Sequence, residues 1–145
     1  MKKLSIISLL IITLLTGMAC KKDKKGTSFG TPDWVLVKKE LYPYSMTAVI
    51  KIDEAINKTI NITDQLGVFV GTECRGKGAQ VTNNGTTLFY VQIHGSASEQ
   101  SNLSFRYYNA KNGYMYESTQ QVSFTVDDNI GSVDNPWVIP LKQMN

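Results

Sequence analysis

The chain has 145 residues, 42% of them hydrophobic and 19% charged, which suits one ordinary domain and excludes a disordered tail or a fibre. A single histidine rules out metal sites and catalysis built on several histidines. Six of the 15 Lys and Arg (Lys2, Lys3, Lys21, Lys22, Lys24, Lys25) and one of the 12 acids (Asp23) fall within residues 1–25, so the remainder holds nine cations against eleven anions, a net −2. The excess positive charge belongs to the N-terminus, and the rest lacks the basic stripe of a nucleic-acid binder.

Met1-Lys2-Lys3 is a short positive start, followed over residues 4–15 by an apolar run broken only by Ser5, Ser8 and Thr13. Twelve residues fall short of the roughly 20 that span a bilayer, so the run reads as the core of an export signal. The next residues, Thr16-Gly17-Met18-Ala19-Cys20, resemble the lipobox of bacterial lipoproteins, with Gly17 where a leucine is usual. That resemblance implies a signal peptide over residues 1–19, acylation of Cys20 and attachment to a membrane through the acyl chains. Residues 20–31 are mostly Lys, Gly, Thr and Ser and are expected to form a flexible tether. Lysine after Cys20 favours the outer membrane by analogy with sorting rules, and leaves both sides of that membrane open.

From residue 32 to 145 the pattern is that of strands. Met46, Ala48, Ile50 and Ile52 alternate with Ser45, Thr47, Lys51 and Asp53. Leu66, Val68, Val70 and Cys74 repeat the alternation against Gly67, Phe69, Gly71, Glu73 and Arg75, which predicts one strand that points Cys74 inward. Residues 88–93 are apolar on both faces and read as a central strand. Leu103, Phe105 and Tyr107 alternate with Ser104, Arg106 and Tyr108, and Asn112-Gly113 then turns the chain into residues 114–117. Residues 122–126 and 137–141 complete the set, and residues 53–58 are a weak helical turn. Strands every ten to fifteen residues predict an all-β antiparallel sandwich, Ig-like or jelly-roll-like, of seven to nine strands, with a closed barrel as the lesser alternative.

Cys74 lacks a histidine arranged as partner, since His94 lies on another strand, so it reads as a buried structural thiol and His94 as a strand-end residue. Asp127, Asp128, Asn129, Asp134 and Asn135 offer oxygens, but Gly131 is fifth from Asp127 where a calcium loop needs glycine sixth. They read as turn formers, with calcium as the alternative. No metal, cofactor or catalytic group is expected. Tyr42, Tyr44, Tyr108, Tyr114, Tyr116 and Trp137 are candidates for an aromatic platform that stacks on sugars, Tyr108, Tyr114, Tyr116 and Arg106 forming the possible ligand face. Cross-strand aromatic pairing is the competing reading. Glu73, Cys74, Arg75 and Gly76 are expected to form a structural corner, with Arg75 satisfying backbone carbonyls or pairing with a nearby carboxylate, and with an exposed Arg75 fork for a partner's carboxylate or sulfate as the alternative.

Residues 42–47, 64–76 and 103–109, above all Gly71-Thr72-Glu73-Cys74-Arg75-Gly76, resemble a β-sandwich module that recurs in surface and secreted proteins of Bacteroidota. The resemblance implies a non-catalytic envelope lipoprotein. The expected function is a binding or structural module for another envelope protein or a surface assembly, with carbohydrate binding through exposed tyrosines as the alternative.

Overall fold

A computed structural model describes residues 26–145. The expected signal peptide and Cys20 lie outside the described residues. The described chain is almost all β: ten strands and one 3-10 turn, Lys39–Leu41. The strands are β1 (Tyr44–Ile52), β2 (Gln65–Val70), β3 (Glu73–Asn83), β4 (Thr86–Gly95) and β5 (Asn102–Asn109), then β6 (Tyr114–Ser118), β7 (Val122–Ser123), β8 (Asn129–Ile130), β9 (Trp137–Ile139) and β10 (Leu141–Gln143). They form one curled sheet in the order β10-β6-β5-β2-β3-β4-β1-β8, with β7 on β5 and β9 on β1.

The curl comes from β3. Its first half pairs with β2, up to Gly67 opposite Lys77, and its second half pairs with β4, from Gly78 opposite Val91 onward. Two glycines allow the crossing. A Cβ at Gly76 would lie 2.8 Å from the Gln92 carbonyl oxygen and 2.9 Å from Val91 Cγ1, and one at Gly78 would lie 2.9 Å from Phe89 Cδ1, so no side chain fits where the halves meet. The chain crosses back at Pro140: β9 lies on β1 in one half and β10 on β6 in the other. The halves enclose a core of Met46, Ile50, Leu66, Val68, Phe89, Ile93, Phe105, Tyr107 and Ile139, all 3% exposed or less. Edge-on contacts cross the layer, Phe89 to Tyr107 at 6.1 Å and Phe105 to Trp137 at 5.1 Å.

Several expectations are corrected. The strand expected through Leu66 and Cys74 is two strands, because Gly71 takes φ 58° and turns the chain, and a bulge at Val68/Phe69 leaves Arg75 as the extra residue of β3. Cys74 therefore sits opposite Phe69 on a separate strand, not in line with Val68 and Val70. The sheet is mixed, since β8 and β9 run parallel to β1. Ladder pairing covers only Val122 and Ser123 of residues 122–126, although Phe124 stays buried. Pro140, which has no N–H to give, splits residues 137–141.

The tether expected over residues 20–31 also ends early. Ser28 bridges Tyr114, the Phe29 N–H donates to the Gly113 carbonyl at 2.7 Å, and Trp34 meets Phe69 edge-on at 5.3 Å. Leu36 bridges Cys74 and the Val37 N–H donates to the Cys74 carbonyl at 3.0 Å. Residues 28–37 form a strap over the outer face of the half built on β2, β5 and β6.

Candidate functional site

The densest charge cluster sits where β3 begins. Arg75 is 4% exposed. Its Nη1 donates to Glu99 Oε2 at 2.9 Å and to the His94 carbonyl at 3.4 Å, while Nη2 and Nε donate to Glu73 Oε2 at 3.0 and 3.3 Å. The guanidinium lies 3.5 Å from the centre of the Tyr42 ring, and the Tyr42 hydroxyl donates to Glu73 at 2.9 Å. Burial works to raise the Glu99 carboxyl, but hydrogen bonds from Ser101 and Arg75 outweigh it and hold the group below the usual carboxylate range. The Glu73 hydrogen bond, with burial behind it, pushes the Tyr42 phenol up. Every arm of the Arg75 fork is spent inside the fold, so the cluster fastens the residues before β1 to β3 and β4. Cys74, 3% exposed, donates to the Gly76 carbonyl at 3.4 Å, and burial raises its thiol. His94 is 5% exposed with Nδ1 unpartnered, and burial lowers its imidazole.

The tyrosine platform is corrected. Tyr108 is 4% exposed and Tyr116 9%, Tyr114 is half-buried and bridged by Ser28, and the Tyr116 ring lies against Tyr107 at 6.0 Å within the core. Arg106 is tied to Glu117 at 3.1 Å and lies 4.6 Å over the Phe69 ring. Trp137 is half-buried against Phe105, Tyr42 holds Arg75, and Tyr44 keeps an exposed ring. Apart from Tyr44, these side chains are buried, tied to Arg75 or Glu117, or covered by the strap, so they do not share one exposed plane.

At the Asp127–Asp134 loop two side-chain oxygens are spent within the fold, Asn129 Oδ1 accepting from Thr47 Oγ1 at 2.7 Å. Asp128 Oδ1 accepts from the Asn129 N–H at 2.8 Å, Asn129 Nδ2 donates to the Gly131 carbonyl at 2.6 Å, and Asp127 and Gly131 take φ of 59° and 72°. Among the described residues, no group of three or more His, Cys, Asp or Glu is placed to hold a metal ion.

Two sites were not anticipated. Asp64, 4% exposed, accepts at Oδ2 from Tyr107 Oη at 2.7 Å, the Asn61 N–H at 2.9 Å and Asn57 Nδ2 at 3.0 Å, and at Oδ1 from the Ala110 N–H at 2.8 Å. It staples the loop before β2 to the β5–β6 hairpin, and burial drives the Tyr107 phenol upward. An acid at the mouth of an alternating strand, with Asn three and seven residues before it, was the available signal.

The other is a groove of about 480 Å³ on the uncovered outer face of β1, β3 and β4, lined by Val49, Ala79, Tyr90, Val91, Gln92 and Lys77 among others. Tyr90 shares a strand parity with exposed Gln92, which marks it as outward. The polar rim is engaged within the fold: Thr47 Oγ1 donates to Asn129 Oδ1 at 2.7 Å, and Gln92 Nε2 donates to Ser45 Oγ at 3.3 Å. What the groove offers a ligand is apolar surface, the Tyr90 ring with its hydroxyl and the Lys77 ammonium. Comparison with protein-family models, curated proteins and solved structures finds no match for this chain, so its chemistry is read from its own residues.

Proposed function

We propose that the chain is a non-catalytic lipoprotein of the cell envelope, held to the outer membrane by acyl chains on Cys20. In this reading the sandwich is a protein-binding module, and its contact surface is the outer face of β1, β3 and β4. The observation that carries it is the asymmetry of the two outer faces. One is covered by the strap through Trp34 and Phe69, while the other leaves Val49, Ala79 and Tyr90 around an apolar groove. A sugar needs several free polar partners around its hydroxyls, and on the rim of this groove Thr47 and the Gln92 amide nitrogen are engaged with Asn129 and Ser45. An apolar patch with a carboxylate for Lys77 is the complement it presents to a partner protein. The module reading also accords with Arg75, whose donors all serve the fold.

The test is a photo-crosslinking residue at Tyr90 in intact cells, with the same residue at exposed Val35 on the strap as control. A discrete protein adduct at Tyr90, abolished by Ala79→Glu and absent at Val35, is expected. Equal adducts at both positions, or none at Tyr90, overturn the surface assignment. Cys20→Ser is expected to move the protein from the membrane to the soluble fraction, and retention in the membrane overturns the anchor.

A further inference from the structure

The end of the sandwich bearing the β1–β2 loop and the β5–β6 hairpin carries a cleft of about 820 Å³, within the range of small-ligand sites. Its apolar floor is Ile56 and Ile60, both half-buried against the core, and its walls carry Lys58, Asn109, Lys111 and Asn112.

The side chains of these loops share one polarity. Asn109 Oδ1 accepts from the Lys111 N–H at 3.0 Å and Asn112 Oδ1 from the Tyr114 N–H at 2.9 Å. Across the cleft, Asn57 Oδ1 accepts from the Thr59 N–H at 3.1 Å and Asn61 Oδ1 from the Thr63 N–H at 3.0 Å. Because the oxygens cap backbone, the amide NH2 groups are turned outward as donors, but that of Asn57 serves Asp64 and Tyr107 and that of Asn112 is engaged by the Tyr116 hydroxyl. Asn109 is the telling case. It is 4% exposed, it lines the cleft, and its NH2 has no acceptor among the described residues. The amide nitrogen is not sealed from solvent, so it opens onto the cleft, where a ligand oxygen would replace water as its acceptor. The nearby charge is positive: Lys58 and Lys111 form no salt bridge among the described residues, whereas Glu54, the carboxylate on the rim, is taken by Lys51 at 3.1 Å. The loops are also held in place before any ligand arrives, through Asp64 and the Asp53 cap on the Ala55 N–H at 2.8 Å.

From this arrangement we infer that the cleft is a second binding site, distinct from the groove at Tyr90, and that it takes a carboxylated sugar. The ring's C–H face lies on Ile56 and Ile60, a hydroxyl oxygen accepts from Asn109, and its carboxylate sits between Lys58 and Lys111. A bare anion would use the lysines and leave the apolar floor and the Asn109 amide idle.

The test titrates the full chain in detergent with a glucuronate disaccharide, its neutral glucose counterpart and inorganic phosphate, read by calorimetry. The glucuronate is expected to bind at least about tenfold more tightly than either of the others, with affinity falling as salt rises. Lys58→Ala combined with Lys111→Ala removes the difference between the acidic and neutral sugars. Asn109→Asp keeps the oxygen that caps Lys111 and deletes the donor, so it weakens the neutral sugar, which feels no charge repulsion, as well as glucuronate. Phosphate binding as well as the sugar acid, neutral sugar binding equally, no binding of glucuronate, or full affinity in Asn109→Asp would each overturn the assignment.

Discussion

Replacing Arg75 with Met keeps an aliphatic stem against the Tyr42 ring and removes the guanidinium. What remains is Glu99, whose side chain is only 10% exposed and whose partner at 2.9 Å is gone. Deleting one member of a buried pair costs about 3–5 kcal/mol, because the other charge stays desolvated. Glu99 keeps the Ser101 N–H at 3.3 Å, which places it at the low end of that range. Glu73 is half exposed and adds at most about 1 kcal/mol. The sum is a loss of about 3 kcal/mol, or roughly 10 °C in melting temperature for a domain of this size. Urea unfolding at neutral pH measures it, with an unchanged denaturant slope expected. Glu99→Gln in the Arg75→Met background should return at least about 1 kcal/mol, since it removes the stranded charge. The difference between the native chain and Arg75→Met is present above the ordinary Glu99 value of 4.5, and is lost as pH falls through the depressed folded value. A loss below about 1 kcal/mol, or strictly additive losses in the double variant, would refute the clamp.

Gly76→Ala is expected to cost about 1–3 kcal/mol by urea unfolding, because the new methyl meets the Gln92 carbonyl oxygen at 2.8 Å, a backbone atom that cannot step aside. A neutral result would mean that the crossing of β3 is looser than these distances. Asp64→Asn turns one accepting oxygen into a donor facing donors, so a loss of about 2–4 kcal/mol is expected, with faster exchange of the Asn61 and Ala110 amides. Unaltered exchange at those two amides would count against the staple. His94 is held neutral by burial below its ordinary value of 6.5, so stability is fully present above that pH and declines as pH falls toward the lowered folded value. His94→Gln should flatten the stability profile between pH 7 and 5, and an unchanged slope would remove His94 as its source.

The β content was legible because most strands bury one face against a single core. Met46, Ala48, Ile50 and Ile52 alternate in β1, and Leu103, Phe105 and Tyr107 in β5, and all seven are buried. β3 was missed for the opposite reason. It serves two halves of the sheet, and where it crosses it needs Gly76 and Gly78 rather than large apolar groups, so no alternation survives. The turn that follows carried a plain signal: Asn84 and Gly85 take φ of 47° and 78° as a two-residue hairpin turn, a pair matching the Asn-Gly signature credited to Asn112-Gly113. The tyrosine platform failed because strand parity says which side a residue points to and not what covers that side. Tyr108 points outward with Arg106 and is still 4% exposed. The Asp64 staple and the cleft depend on loops brought together from β1–β2 and β5–β6, a distance in sequence that local patterns do not span.

The strap also settles how mechanical load enters the domain. Tension drawn on the N-terminal end reaches Ser28 and Phe29 first, then Trp34 and Val37, and only beyond the Tyr42 stack does it arrive at β1. Each contact is a separate link, so a pull strips them in succession while the two-sided core stays shut. The domain thus carries a sacrificial seam between its N-terminal end and its core. In single-molecule stretching this seam should yield as a low-force extension of about a dozen residues before the main rupture.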